Sequence, residues 1–415
     1  MNRLFRKMRW WWAPPLFLFL LGAAAPERSE ASPAVRAALP DGLPAPAEKD
    51  TARAAKKPAK KKSSAKKKKK KKEEPKVRLS GLFALRFVFD DNFIHYSDED
   101  LDEFAHTVNT GKFSIETAHD WIVRPRFEMT LETPEITGRD LEISFRASTW
   151  RYVNNGVKDN QSYQIGLKHA GFGRDNFQLS YYYAPLSYIR NFRDRAPYTS
   201  RSAPLEYYNF SYTSNSLTLG YWRRLSSAFD GKLEVKRSWR YFNREFMEND
   251  NWEWRFGGYL AWRFIRPLKL TFAYYYSDVL GRGADEAGET RENSNDSDPT
   301  YVRDAFDLTL RFYTSGILPK INALSVGWEY QTYYFTGEKP YYEDPLHTGR
   351  KDLIRRVEVT GETGRIFGPL SLEAGYRYTM RTSDAAWTGG TDDAGIGEEK
   401  DYVENRTWLG LEYPF

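Results

Sequence analysis

Residues 402–415 alternate between two kinds of side chain, and this alternation constrains the fold more than any other feature of the chain. Successive side chains of a β-strand point to opposite faces, so a period of two separates one face from the other. The mostly apolar parity carries Val403, Thr407, Leu409, Leu411, Tyr413 and Phe415. The mostly polar parity carries Glu404, Arg406, Trp408, Gly410, Glu412 and Pro414. The segment therefore predicts a strand with one apolar and one polar face.

Composition limits how such a chain could cross a membrane. Of its 415 residues 40% are apolar and 16% aromatic, and beyond the first 31 residues no apolar run approaches the roughly 20 residues of a spanning helix. A membrane protein of this kind must cross by strands, because lipid offers the backbone no other partners. A soluble all-β sandwich or barrel, the alternative, would place far fewer Tyr and Trp on exposed strand positions. Cysteine is absent, which excludes a disulfide frame, thiolate chemistry and a lipoprotein anchor.

Residues 1–31 have the pattern of a secretory signal peptide. A basic start of four cationic residues precedes an apolar segment from Trp10 to Leu21, and small residues follow at 23–25 and 29–31. Pro26 disfavours cleavage after Ala25, so we expect cleavage after Ala31. A membrane anchor is the alternative, although the apolar segment is short for one.

The positive charge of the chain belongs to its N-terminal part. Residues 1–75 carry 20 Lys and Arg against 7 Asp and Glu, whereas the remainder has a surplus of 7 acidic residues. Residues 32–75 consist mainly of Ala, Pro and Lys and end in the run Lys66–Lys72 followed by Glu73, Glu74 and Pro75. They bury too little apolar area to fold and are predicted to be a disordered periplasmic tail. The tail is a solvated linker or a polycationic arm that contacts an anionic periplasmic partner. Nothing in it would stack on bases, so no nucleic-acid partner is expected.

The same alternation recurs through the rest of the chain and predicts an all-β fold. We predict a transmembrane antiparallel up-and-down β-barrel of about 14 strands over residues 76–415, with both termini on the periplasmic side because the count is even. The predicted strands are 77–89, 119–132, 140–152, 161–171, 176–190, 206–224, 232–244, 252–265, 268–279, 301–314, 322–335, 352–363, 370–382 and 402–415. In 206–224 the apolar parity shifts between Tyr212 and Leu217, which predicts a bulge there or two short strands.

Parity also predicts which side chains meet lipid. In 370–382 the lipid-facing set begins at Leu370 and ends at Met380, while Glu373, Arg377 and Arg381 face the lumen. A charge on the lipid face costs roughly 2–4 kcal/mol at mid-depth, so one parity stays apolar. Two interfacial girdles are predicted from aromatic residues near strand ends: Trp121, Tyr152, Trp252, Tyr276 and Tyr334 at one end, and Tyr221, Trp262, Phe264, Tyr413 and Phe415 at the other.

The predicted lumen is rich in charges of both signs. The lumen-lining candidates are Arg86, Arg124, Arg126, Glu128, Arg146, Arg255, Arg263, Arg311, Glu329, Arg356, Glu358, Arg377, Arg381 and Arg406. Two interpretations remain open. The charges form a salt-bridge lattice that holds a narrow barrel together, since buried charges must be paired. Alternatively, unpaired Arg residues line a solvated lumen and attract anionic or hydroxyl-rich solutes, and infolded loops narrow the bore.

The long connections are acidic, above all 90–118, 280–300 and 383–401. Mutual repulsion predicts solvated loops. The alternative is that divalent cations, which prefer oxygen ligands, link these loops to surface lipopolysaccharide. No metal-binding motif, phosphate loop or cofactor motif is present in the sequence, so we predict no cofactor and no discrete metal site.

The closing segment resembles the last strand of bacterial outer-membrane β-barrels. That resemblance implies that Leu409, Leu411, Tyr413 and Phe415 form the signal read by the barrel-assembly machinery. Over about residues 77–415 the chain resembles porin-like channels and polysaccharide-export barrels, which implies an outer-membrane location in contact with lipid and lipopolysaccharide.

The expected function is passage of small polar or anionic solutes. One alternative is export or docking of an envelope polysaccharide, with the Lys-rich arm holding a periplasmic partner. The other is a surface hydrolase, because His95-Tyr96-Ser97 resembles the His-x-Ser spacing of a lipid A deacylase barrel. We expect the protein not to be an enzyme.

Overall fold

The computed structural model describes residues 77–106, 111–136, 139–171, 175–194, 206–285, 288–291, 294, 296–314, 317–318, 320–340, 342–344, 347–385 and 400–415. The predicted signal peptide and the Lys-rich tail lie outside these residues. No helix in the described ranges is long and apolar enough to cross a bilayer.

Fourteen antiparallel strands form one closed barrel, in which each strand pairs with its neighbours in sequence and β1 pairs with β14. The strands are β1 (Arg78–Asp90), β2 (Asp120–Ile136), β3 (Arg139–Tyr152), β4 (Asn160–Ala170), β5 (Asp175–Asp194), β6 (Glu206–Arg224), β7 (Phe229–Phe242), β8 (Asn251–Ile265), β9 (Leu268–Gly281), β10 (Tyr301–Tyr313), β11 (Ile321–Phe335), β12 (Lys351–Thr363), β13 (Ser371–Asp384) and β14 (Tyr402–Pro414). The predicted fold and strand count are confirmed. The largest differences are in β2 and β5, each of which extends four residues beyond its predicted end.

Connections alternate in length between the two ends of the barrel. The end with long connections, here called the loop end, carries the helix α1 (Asp98–His106) between β1 and β2, and the 3-10 turns Gly156–Lys158 and Arg244–Asn249. The other end, here called the turn end, carries short connections such as the one between Ile265 and Leu268. Since the number of strands is even, Arg78 and Pro414 both lie at the turn end.

The terminal phenylalanine closes the seam between β1 and β14. The backbone nitrogens of Gly81 and Phe415 each donate to the other residue's carbonyl oxygen, both at 2.9 Å. A Cβ atom at Gly81 would lie 2.2 Å from the Phe415 ring, so the ring covers this glycine and takes the place of its missing side chain. The same ring stacks on Phe127 with a centroid distance of 6.2 Å.

The predicted irregularity lies in β5 rather than in β6. Pairing between these strands shifts between Ala184 and Ser187 and again between Tyr188 and Arg190, whereas β6 pairs with β7 without interruption. Pro185 interrupts the β5 ladder because it has no amide proton, and Leu186 adopts a positive φ of 47°. The predicted bulge between Tyr212 and Leu217 is therefore wrong: Tyr212 is simply a buried aromatic residue on the inner face of a continuous strand.

The outer face of the barrel is apolar. Its exposed side chains include Leu79, Phe87, Leu219, Leu233 and Leu409, all of which belong to the lipid-facing parity. The predicted girdle residues Trp121, Trp252, Tyr276 and Tyr334 are exposed in the same way. Tyr152 is an error in that prediction, because it is buried inside the barrel against Phe93, with ring centroids 5.2 Å apart.

Candidate functional site in the barrel interior

The connection between β1 and β2 folds into the mouth of the barrel and forms its apolar core. Its buried side chains Phe93, Ile94, Tyr96, Phe113 and Ile115 pack against the inner wall. The wall residues in this core are Val88, Ile122, Tyr152, Tyr188 and Trp408, with Trp150 and Val157 packed against them. We call the described residues of this connection, 91–106 and 111–119, the plug. The prediction of a solvated loop is wrong here, because the burial of these apolar side chains outweighs the repulsion between the acidic ones.

Local hydrogen bonds determine the shape of the plug. The Asn92 amide donates to the carbonyl oxygens of Tyr96 and Val403 at 2.8 and 3.0 Å, and its oxygen accepts from the Tyr96 nitrogen at 2.9 Å. The Ser97 hydroxyl oxygen accepts from the Asp100 nitrogen at 3.1 Å and so caps the first turn of α1. Acidic residues in that first turn complement the positive end of the helix dipole.

An ion-pair cluster attaches α1 to the wall. One Asp100 oxygen lies 3.0 Å from the Arg190 guanidinium of β5, and the other lies 2.9 Å from the Lys112 ammonium. Arg190 also donates to the His95 carbonyl oxygen at 3.0 Å, and Lys112 contacts Glu103. We call Asp100, Arg190 and Lys112 the Asp100 triad. The bulge in β5 re-aims Arg190 toward the plug, which is a common use of bulges near functional sites.

The charges of this triad reinforce one another. Burial alone would raise the pKa of Asp100, but the charge of Arg190 and the hydrogen bond from Lys112 outweigh it, so the pKa lies below its usual value. Burial would lower the pKa of Lys112, but its hydrogen bonds to Glu103 and Asp100 raise it. Asp100 and Lys112 therefore both stay charged across the neutral pH range.

A second contact ties the plug to the turn between β3 and β4. The buried Asp120 carboxylate accepts from the backbone nitrogens of Asn154 and Asn155 at 3.1 and 2.9 Å. The Asn155 side chain in turn accepts from the Glu116 nitrogen at 2.7 Å. The turn also supplies Lys158, whose buried ammonium donates to the Tyr188 carbonyl oxygen at 3.1 Å.

Most of the predicted lumen charges belong to ion pairs on the inner wall. The shortest N–O distances are between 2.5 and 3.9 Å for ten pairs: Arg86–Glu373, Arg126–Glu412, Arg146–Glu128, Arg255–Glu234, Arg263–Asp230, Arg311–Glu362, Arg356–Glu329, Arg377–Glu358, Arg381–Asp352 and Arg406–Asp90. The pairs link one strand to a strand beside it or nearby. They account for every predicted lumen-lining residue except Arg124.

Exposure divides these charges into two groups. The side chains of Arg126, Arg146 and Arg356 remain 23–26% exposed, so these charges border a space that solvent can reach. Glu253 of β8 is only 2% exposed. Its two oxygens lie 3.3 Å from Arg240 of β7 and 2.9 Å from Arg303 of β10. We call Glu253, Arg240 and Arg303 the Glu253 triad.

Arg124 differs from the other predicted arginines. Among the described residues, no carboxylate lies within ion-pair distance of it. Its Nε donates to the Ser148 hydroxyl at 3.4 Å, and its guanidinium lies over the Trp150 ring, 4.3 Å from the centroid. It lies within electrostatic range of Arg86, Arg126, Arg377 and Arg406, which are all positive. Each of those four arginines has a carboxylate partner, so Arg124 carries the one charge in this cluster that no described carboxylate neutralises.

Two tryptophans separate this cluster from the plug. Arg406 lies 5.9 Å from the Trp150 ring, and Arg86 and Arg377 lie 5.5 and 5.9 Å from the Trp408 ring. Such distances allow cation–π attraction. The Trp408 indole nitrogen donates to Glu373 at 2.7 Å, and its ring covers Gly375, whose Cβ would meet it at 2.2 Å.

Two other acidic loops at the loop end, β9–β10 and β11–β12, also form ordered contacts. Asp344 in the β11–β12 loop accepts from the Asp298 nitrogen of the β9–β10 loop at 2.6 Å and from His347 at 3.0 Å. Burial lowers the pKa of His347, an effect that its bond to Asp344 opposes. Asp285, Glu289 and Asp296 approach one another closely enough to share a cation. This arrangement alone does not define a metal site, because Asp296 already accepts from the Asp285 nitrogen and the Ser294 hydroxyl.

The residues of the hydrolase alternative serve other roles. The Ser97 hydroxyl caps α1, as described above, and His95 lies 3.6 Å from Glu404 with its ring 4.6 Å from that of Tyr402. His119 is exposed, whereas the adjacent Asp120 is buried and binds backbone amides. These contacts give Ser97 and Asp120 structural functions.

Fold and interior together define a transmembrane β-barrel with an apolar exterior, a charged interior and an infolded first loop. No family model and no curated protein matches the chain in sequence. Among solved structures it is similar to the outer membrane channel DcaP of Acinetobacter baumannii (12% identity, 82% of this chain and 97% of that one, TM-score 0.42). It is also similar to the outer membrane protein OmpT of Vibrio cholerae (11%, 82% and 97%, TM-score 0.40) and to an anion-selective porin from Comamonas acidovorans (9%, 82% and 100%, TM-score 0.37).

Proposed function

We propose that the protein is an outer-membrane channel for small hydrophilic solutes. The proposal rests on the difference in polarity between the outer and inner faces of the closed sheet. Its outside is mostly apolar along the strands, whereas its inside carries ion pairs that solvent can reach around Arg126, Arg146 and Arg356. A membrane-spanning ring with this polarity shields a polar path from lipid.

The plug narrows the path at the loop end. Its apolar core packs on β1, β2, β3, β5 and β14, and so occupies one side of the bore. Solutes then pass beside the plug and along interior charges of both signs, which create a field across the path. Orientation follows from the barrel class: the turn end, where both described termini lie, faces the periplasm, and the long loops face outward.

Single-channel recording in a planar bilayer tests this function. The purified full-length protein should give discrete conductance steps, while the same preparation after heat denaturation should give none. Liposome swelling then compares neutral sugars with charged solutes of the same size. A folded barrel that inserts into the bilayer but carries no ion current would contradict the proposal.

A further inference from the structure

The unpaired Arg124 borders a small recess in the inner wall, with room for about one water molecule. The recess is also lined by Ala84, Arg86, Arg126, Glu373 and Glu412. Within the described residues, the terminal nitrogens of Arg124 have no hydrogen-bond acceptor, because its one side-chain bond uses Nε. The Trp150 ring supports the flat face of the guanidinium. The group is therefore fixed in position while its donors remain available.

Neighbouring charges make this guanidinium an anion attractor. Ion pairs with carboxylates of neighbouring strands already neutralise the charges of Arg86, Arg126, Arg377 and Arg406. Arg124 still feels all four positive charges and has no counter-charge of its own among the described residues. A partly desolvated cation in this position gains free energy when an anion arrives, because interaction between charges is stronger at low dielectric.

We propose that Arg124, supported by Trp150 and Ser148, is a binding subsite for the carboxylate or phosphate group of a permeating solute. The proposal rests on the channel function and names its substrate class: small hydrophilic oxyanions. The planar, forked guanidinium can donate two parallel hydrogen bonds to two oxygens of a carboxylate or phosphate. A spherical halide ion does not offer such a pair of acceptors. A solute held here would have its charge compensated inside the barrel.

Equilibrium binding tests the subsite independently of conduction. Isothermal titration of the purified full-length protein in detergent would use acetate and inorganic phosphate as separate probes, in chloride buffer at constant ionic strength. Wild type should bind at least one of them. Arg124→Gln should weaken that binding about tenfold or more, because charge-assisted hydrogen bonds are lost. Arg124→Lys keeps the charge but lacks the fork, so it should recover only part of the affinity.

Arg151→Gln is the matched control. Arg151 is on the next strand and faces outward, where it pairs with Asp159 at 2.7 Å, so its replacement removes the same charge outside the bore. This variant should bind as wild type does. Heat-modifiable gel mobility and circular dichroism would show that each variant retains the barrel.

The two proposals fail in different ways. Absence of wild-type binding, or equal binding by Arg124→Gln, would overturn the subsite whatever the conductance. In a bilayer, reversal potentials in potassium acetate and potassium phosphate gradients should shift toward cation preference in Arg124→Gln and stay unchanged in Arg151→Gln. Binding without any current would leave the subsite standing and contradict the channel. Binding of phosphate but not acetate would restrict the class to phosphate-bearing solutes.

Discussion

The Glu253 triad and the Asp100 triad each consist of one carboxylate and two cations. The first joins strands of the barrel to one another, whereas the second joins the plug to the wall. In each, one buried carboxylate bridges two cations at about 3 Å. Glu253, Arg240 and Arg303 all belong to strands whose backbones are already joined by ladders through β7, β8, β9 and β10. Asp100 and Lys112 belong to a connection, and of their triad only Arg190 is on the wall.

This difference assigns the triads different roles. Opening the Glu253 triad requires disruption of the sheet itself, so its charges would be exposed only by global unfolding. Opening the Asp100 triad requires only that the plug leave the mouth, with the barrel intact. Local opening of this kind costs less than global unfolding and is typical of elements that gate a site. We expect the first triad to be structural and the second to be a reversible attachment.

Glu253→Gln should have the largest effect on stability. The substitution leaves two buried guanidinium groups without their carboxylate, and breaking a buried pair in this way costs about 3–5 kcal/mol. The free energy of unfolding, measured by denaturant titration of the barrel in lipid vesicles, should fall by that amount. The control is Glu343→Gln at an exposed loop position, which should change it by less than about 0.5 kcal/mol. An unchanged value for Glu253→Gln would contradict the structural role.

Asp100→Asn should weaken the attachment of the plug to the wall without destabilising the barrel. Loss of charged hydrogen bonds to Arg190 and Lys112 costs about 1.5–3 kcal/mol. Amide exchange in residues 92–101 should therefore accelerate about tenfold or more, and channel conductance should rise. Asp102→Asn is the matched control on the same helix, because Asp102 is 78% exposed. If amide exchange also became faster in the strands, the plug could not open independently of the barrel wall.

Acidity should release the plug in the wild-type protein. The pKa of Asp100 is lowered in the folded state, so its stabilising contribution is complete above its ordinary value of 3.8 and is lost as pH falls through the lower, folded-state pKa. The pKa of Lys112 is raised, so its contribution disappears only above its ordinary value of 10.5. Plug exchange rates, corrected for intrinsic chemistry, should be flat between about pH 5 and 8 and rise below pH 3.8. Asp100→Asn should lose the acidic rise.

The wall could be predicted from the sequence because its signals are local. Alternating parity and turn residues located all fourteen strands, and parity also places Tyr152 on the inner face with Glu142 and Arg146, although its aromatic side chain was taken for a girdle residue. The plug gave no such signal, because Phe93, Ile94 and Tyr96 follow no period within an acidic loop. Pro185 was the visible sign of the bulge in β5 that aims Arg190 at the plug.

Partner choice inside the barrel was not predictable in the same way. Parity gives the face of a residue but not its partner: Arg86 pairs with Glu373, which is 287 positions away in sequence. The isolation of Arg124 depends on where every neighbouring carboxylate lies, and the Asp100 triad depends on a loop that folds back onto β5. These features follow from closure of the ring, which brings distant strands together.

The smallest expected effect concerns the seam, where the wall closes on itself. Phe415→Ala should lower the free energy of unfolding by about 1 kcal/mol, because the ring no longer covers Gly81 or stacks on Phe127. Gly81→Ala should also destabilise, since its new methyl group meets the ring at 2.2 Å. In the double variant the clash is absent, so the two losses should be less than additive, with a coupling of at least about 0.5 kcal/mol. Strict additivity would show that the Phe415 ring and Gly81 do not interact. Any assembly defect of Phe415→Ala would then have to come from recognition of the terminal strand rather than from the closed seam.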